Sequence, residues 1–183
     1  MGHPLTFKTA AEDWEFAQIH RLNYRTFVEE IPQHVRNPKR ELVDKFHAEN
    51  TYFICLEGRT LVGMVALRGK RPFSLDAKLP NLDAMLPPGR ALCEIRLLAI
   101  ESVRRHTRVL TGLLRLLIEQ AMAKGYDCAL ISGTTRQIEL YEHLGFVQFG
   151  PLVGPPAALY QPMYLLLEGL LARRGRLRGI GLS

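Results

Sequence analysis

The chain has 183 residues, 47% of them apolar and 23% charged, and a net charge of +6. That size fits one core of ordinary dimensions rather than two. Its longest apolar runs, Leu113–Ile118 and Tyr164–Leu167, are short or interrupted by Arg115 and fall below the roughly 18–20 residues that cross a bilayer. The opening Met-Gly-His-Pro-Leu-Thr carries no basic segment followed by an apolar stretch, so a cytoplasmic protein without a membrane partner is expected.

Three cysteines, Cys55, Cys93 and Cys128, each sit in an apolar strand-like run without CxxC spacing and read as buried reduced thiols. The six histidines show no HxH or HExxH spacing, so no metal is expected. Basic residues cluster at Arg104, Arg105, His106, Arg108 and Arg115, and again at Arg173, Arg174, Arg176 and Arg178. No aromatic–basic interleaving accompanies them, so nucleic acid is not the expected partner. An anionic cofactor or an acidic carrier protein suits the first cluster. The second reads as a basic tail or linker over residues 169–183, after a folded domain at 1–168.

In chain order, Leu5–Thr9 reads as a strand and Glu12–Glu30 as a helix with Phe16, Ile19, Leu22 and Phe27 near one face. Pro32 and Asn37-Pro38 break it, and Arg40–Glu49 is expected to be helical. Thr51–Leu56 and Thr60–Leu67 form a hairpin around Glu57-Gly58-Arg59. Gly69–Arg90 is a long proline-containing insertion with a short helix expected within Leu75–Leu86. Long ordered insertions are often functional, although a plain surface flap fits too. Ala91–Ile100 reads as a buried central strand. Val109–Lys124 has Leu110, Leu113, Leu114, Leu117 and Ala121 at helical spacing, closed by Gly125. A strand at Cys128–Ser132, a helix at Arg136–Leu144, a strand near Phe146–Phe149 and a last strand at Gln161–Leu167 complete the alternation of sheet and helix.

Two stretches carry a family likeness. Leu98-Ala99-Ile100-Glu101-Ser102-Val103-Arg104-Arg105-His106-Thr107-Arg108-Val109-Leu110 joins a strand to a helix through a basic turn, and Leu140-Tyr141-Glu142-His143-Leu144-Gly145-Phe146 follows at the right distance. Together they resemble the GNAT acyltransferase superfamily. The resemblance implies an α/β (α+β) fold: a central mixed, mostly antiparallel sheet of about six or seven strands flanked by helices. It also implies an enzyme that transfers an acyl group from acetyl-CoA, another acyl-CoA or an acyl-phosphopantetheine to a small-molecule primary amine by direct attack.

In that family the turn and helix start grip a pyrophosphate, because helix N-terminal N–H groups form an anion site. The corresponding positions here are Leu98, Ile100, Arg104, Arg105, His106, Thr107, Arg108, Val109 and Leu110. Arg108 and Leu110 stand where the family pattern has glycines. Tyr141 matches a tyrosine that protonates the departing thiolate in many members, or else simply packs its ring. Glu94 is a candidate base for the attacking amine; the alternative is a salt bridge with Arg96 or Arg68.

The stretches Asn23–Glu30, Val43–His47 and Tyr52–Ile54, with Arg68, the insertion and Glu94 in order, resemble the acyl-homoserine lactone synthases and long-chain N-acyl amino acid synthases. That kinship implies acyl carrier protein as a donor partner and Arg25 and Arg68 as substrate-binding residues. His47 and Leu97 replace an acidic residue and an arginine of the lactone synthases, and no tryptophan follows Phe27. These changes argue against S-adenosylmethionine as substrate. Two expectations stay open: a homodimer, and a non-catalytic ligand-binding module or single domain of a larger enzyme.

Overall fold

The computed structural model describes residues 3–105, 108–156 and 159–168. It contains β1 (Leu5–Thr9), α1 (Asp13–Tyr24), β2 (Thr51–Glu57), β3 (Thr60–Arg68), β4 (Leu92–Ile100), α2 (Arg108–Ala123), β5 (Cys128–Thr134), α3 (Ile138–His143), β6 (Val147–Gln148) and β7 (Tyr160–Leu166). The seven strands make one mixed sheet in the order β1-β2-β3-β4-β5-β7-β6. This is the α/β class and the strand number expected. The chain divides into two compact units, Met1–Arg68 with Ile95–Gln120 and Gly69–Glu94 with Ala121–Ser183.

In the first unit β1 and β3 flank β2, both antiparallel, with a register shift at Cys55/Leu56. The alternating side chains of β3 separate two faces, as the pleat requires. Met64 and Ala66 join Ile19 and Leu22 of α1, Tyr52, Ile54 and Leu56 in one apolar cluster. Gly63 points the other way, toward Val109 and Leu113 of α2, both 0% exposed. The start of α1 is fixed by Glu15, a buried carboxylate that accepts from the N–H groups of Ala11 (2.8 Å) and Glu12 (3.1 Å) and from Lys8 Nζ (2.7 Å). Burial works to raise this carboxyl, but the three donors outweigh it and hold it below its ordinary value.

In the second unit β4 runs parallel to β5 over Leu92–Glu94, and β7 lies antiparallel to both β5 and the two-residue β6. The insertion supplies the apolar cover of these strands. Phe73, Leu75, Leu79, Leu82 and Leu86 are between 0% and 8% exposed and cluster with Cys128, Leu130 and Val153. The insertion is thus a packed layer, not a loose flap.

Three expectations about local structure are corrected. The first helix turns into a π-helix at Arg25–Glu30, closed by the Ile31 N–H on the Thr26 carbonyl (2.9 Å). Arg40–Glu49 is irregular apart from a 3-10 turn at His47–Glu49. Asp44 explains this: its carboxylate accepts from the Phe46 N–H (3.1 Å) and Asn50 Nδ2 (2.8 Å), a local pattern that competes with helix. In the insertion the short helix is a single 3-10 turn at Leu82–Met85, preceded by Asn81 at a left-handed φ of 62°.

The cysteines behave as small hydrophobes. All three are 0% exposed, and burial pushes their thiols up to about 11 at Cys55 and Cys128 and about 12 at Cys93. No helix among the described residues is long and apolar enough to cross a membrane.

The contact between β3 and α2 has a direct test. A Cβ on Gly63 would lie 2.7 Å from Val109 Cγ1, 3.2 Å from Leu113 and 3.3 Å from Ile100. Gly63→Ala is expected to destabilise the fold by about 1–3 kcal/mol through overpacking, read from the urea midpoint at unchanged slope.

Candidate active site

The second unit holds the candidate acid and base. Glu94 is the last β4 residue paired with β5, opposite Leu130, and it is 1% exposed. Its Oε1 accepts the backbone N–H of Ser74 at 2.9 Å and the Ser74 hydroxyl as well. In the first unit, Arg96 and Arg68 each have a carboxylate partner. Arg96 Nη2 donates to Asp44 (2.9 Å), and Arg68 donates through Nε (2.8 Å) and Nη2 (2.5 Å) to Glu49 Oε2.

Tyr141 sits on α3, a helix short enough that its end decides where the ring goes. Gly145 takes φ 97°, and the Phe146 N–H turns back to the Tyr141 carbonyl at 2.9 Å. That is the glycine-terminated helix end, with Phe146 packing edge-on against the Tyr141 ring at 6.0 Å between centroids. The Leu-Gly-Phe signature is therefore a device for seating the tyrosine. On the other side, β5 offers Gly133. A Cβ there would fall 2.9 Å from Tyr141 Cδ2, so the strand makes room for the ring. The hydroxyl donates to Gln137 Oε1 at 3.1 Å, and Thr134 Oγ1 reaches the same oxygen at 3.3 Å. Burial raises the phenol above its ordinary 10.0, and hydrogen bonding with Thr134 offsets this only in part. The Tyr141 phenol is therefore protonated at neutral pH.

The first unit holds the candidate phosphate turn. β4 ends at Ile100, a 3-10 turn covers Ser102–Arg104, and α2 begins at Arg108. Two of the basic side chains here have carboxylate partners. Arg104 pairs with Glu57 and Arg105 with Glu30, while Arg105 Nε also donates to the Ile100 carbonyl at 3.1 Å. Arg25, on the π-helix, pairs with Glu101. The pairs Arg25–Glu101 and Arg105–Glu30 tie the π-helix to the turn from both ends. Arg108 is exposed at the first position of α2, Val109 is 0% exposed against Gly63, and Leu98 and Leu110 are half-buried. His106 and Thr107 lie outside the described residues, as does the basic tail at 169–183.

Arg68 is 1% exposed, and its guanidinium lies 3.6 Å from the Phe46 ring centroid. Stacking on Phe46 and bonding to Glu49 give it a fixed plane, a geometry that lysine would not reproduce. Among the described residues no group of three or more His, Cys, Asp or Glu side chains is placed to hold a metal ion.

Three residues that shape these sites escaped the sequence reading, as did the conformation of a fourth. Gly133 had a signal, since an isolated glycine inside a strand marks close approach of another group. Ser74 and Gln137 had none, because their roles come from partners fixed only by the fold. Leu97 takes φ 54° in the middle of β4, a left-handed conformation that no leucine announces.

No protein of curated function matches the chain in sequence. Solved structures do match. FeeM, an N-acyl amino acid synthase from uncultured soil microbes, shares 16% identity over 98% of this chain and 99% of its own, with a TM-score of 0.77. The CoA-dependent acyl-homoserine lactone synthase BjaI, solved with SAM and isopentyl-CoA, shares 20% identity over 97% of this chain and 90% of its own, at 0.75. The acyl-homoserine lactone synthase LasI shares 16% identity over 91% of each chain, at 0.73. These likenesses establish the fold, which is that of the GNAT acyltransferases. The family model of the N-acyl amino acid synthase FeeM matches residues 18–167, a span that includes Arg25, Arg68, Glu94, the Arg104–Leu110 turn and Tyr141. The chain therefore belongs to the FeeM family of N-acyl amino acid synthases and is an N-acyltransferase.

Proposed function

We propose that the chain transfers an acyl group from an acyl-CoA or acyl-carrier-protein thioester to the amine of a small acceptor, with an amino acid as the acceptor class. The observation that carries this reading is the family match over residues 18–167, a stretch that contains a buried carboxylate and a protonated phenol. BjaI, a relative in fold, was solved with isopentyl-CoA, which supports a pantetheine donor.

In the proposed chemistry the amine nitrogen attacks the thioester carbonyl carbon and the C–S bond breaks. Glu94 takes the proton that the nitrogen sheds, directly or through a water. Tyr141 gives its phenol proton to the leaving thiolate, and both groups return to their starting forms by exchange with solvent. Arg104, Arg105 and Arg108, with N–H groups at the start of α2, hold the donor phosphate. Arg68 and Arg25 serve the substrates. The apolar cluster of Phe73, Leu75, Leu79, Leu82 and Leu86 borders the acyl chain.

Tyr141→Phe keeps the ring packing and removes only the acid. Turnover is expected to fall about 10²–10⁴-fold with donor affinity nearly unchanged. The phenol acts as an acid while protonated, and its pKa is raised, so wild-type turnover should hold its level up to pH 10 and fall only above it. That alkaline fall should be missing from Tyr141→Phe; a pH–rate series on both proteins checks this.

For the phosphate turn, Arg105→Ala is expected to weaken donor binding roughly tenfold, since charge-assisted contacts to phosphate are among the stronger hydrogen bonds. Calorimetric titration with the donor measures it; unchanged affinity would remove Arg105 from the site.

The donor itself is decided by side-by-side kinetics with acetyl-CoA, a long-chain acyl-CoA and the matching acyl carrier protein. Each methylene buried against the apolar cluster contributes about 0.8 kcal/mol, so kcat/KM should rise with chain length. The carrier should do best at low salt and lose its lead as ionic strength rises, because the basic turn steers an acidic partner. A clear win for acetyl-CoA sinks the carrier reading and leaves acyl transfer standing.

A further inference from the structure

The insertion contributes more than apolar cover. Its segment Arg71–Asp76 is pinned at every second residue: Phe73 is 2% exposed and Leu75 is 0% exposed, both inside the apolar cluster. Asp76 closes the turn by accepting the Phe73 N–H at 2.6 Å. Arg71 braces it from outside, donating to Asp76 Oδ1 at 2.9 Å and pairing with Asp83. Between the two buried anchors stands Ser74, whose backbone N–H and hydroxyl both donate to Glu94 Oε1. Two donors from a single anchored residue restrain that oxygen more tightly than one would.

We propose that Ser74 is a positioning residue for Glu94, so that the insertion helps set the orientation of the base. This rests on the reading above, in which Glu94 takes the amine proton. Its role is orientation alone, with no bond made or broken at Ser74. A base displaced by even a fraction of an ångström from the attacking amine loses much of its advantage, since catalysis of this kind depends on reacting atoms held in near-attack geometry. A serine that merely tied down the insertion would act on stability and not on the chemical step.

The test is a double-mutant cycle on the full chain, with kcat, the KM of the acyl donor and the thermal midpoint measured for each protein. Ser74→Ala is expected to lower kcat about 10- to 100-fold, the value of a hydrogen bond to a charged group, with donor KM within about twofold. Ser74→Thr keeps the hydroxyl and should restore kcat at least tenfold toward the wild-type value. In the Glu94→Gln background the base is gone, so adding Ser74→Ala should cost less than about twofold more. Undiminished kcat in Ser74→Ala, beside a strong loss in Glu94→Gln, overturns the positioning role and leaves the acyl-transfer mechanism intact. A Ser74→Ala loss that repeats in full in the Glu94→Gln background, or that appears only as a lower thermal midpoint, also overturns it. Unchanged turnover in Glu94→Gln removes the base itself, and the proposal with it.

Discussion

A carboxylate that is 1% exposed must be given hydrogen-bond donors, because leaving it bare within an apolar strand costs several kcal/mol. Glu94 imposes this demand on the second unit, and much of that unit answers it. Ser74 supplies two donors, and Ser74 is anchored by Phe73 and Leu75, buried on either side of it. Those two residues are buried only because the insertion folds onto Cys128, Leu130 and Val153. A chain of twenty-odd residues that would be too long for a turn thus becomes an ordered layer whose apolar packing secures one polar contact. The same layer supplies the surface proposed for the acyl chain, so donor side and base share one support.

Most of the scaffold was legible in the sequence for a physical reason: its signals are periodic or terminal. Leu113, Leu117 and Ala121 repeat at helical spacing and are all 0% exposed, and Gly125 ends α2 with φ 83°. The hairpin Thr51–Arg68, the central strand and the Leu-Gly-Phe helix end were likewise readable from alternation and glycine placement. What escaped is where side chains redirect the backbone. Asp44 spends its carboxylate on the Phe46 N–H, Asn50 and Arg96, and so breaks a segment whose composition reads as helix. The π-helix at Arg25–Glu30 has no compositional signature at all. Glu94 and Tyr141 could be singled out as candidates because a carboxylate in an apolar strand and a tyrosine before Leu-Gly-Phe are local anomalies. Ser74 is an unremarkable serine until the fold brings it to Glu94 across twenty positions.

Leu97 belongs to the same account. A leucine at φ 54° inside a strand costs about 1–2 kcal/mol relative to extended backbone. It lies three residues past Glu94 and three before Ile100, the last residue of the strand. Along the chain it therefore falls between the residue proposed as base and the turn proposed for phosphate. The cost is borne by a position whose side chain still packs against the first-unit cluster.

The arginines of the phosphate turn pose an apparent conflict, since Arg104, Arg105 and Arg25 already pair with Glu57, Glu30 and Glu101. Partly exposed pairs of this kind contribute little to stability, typically under about 1 kcal/mol, because water screens them and the long side chains lose freedom. They are therefore easily shared with a stronger anion. A phosphate offers more charge and more acceptor oxygens than a carboxylate, and the guanidinium fork suits both. In the proposed site the carboxylates provide placement: Arg105 is held by Glu30 and by the Ile100 carbonyl, so its side chain is ordered in advance of the proposed phosphate. Preordering of this kind lowers the entropic cost of binding. It also offers a physical answer to the missing glycines at Arg108 and Leu110. Where the backbone cannot approach a phosphate closely, side chains held in advance by carboxylates can reach out to it.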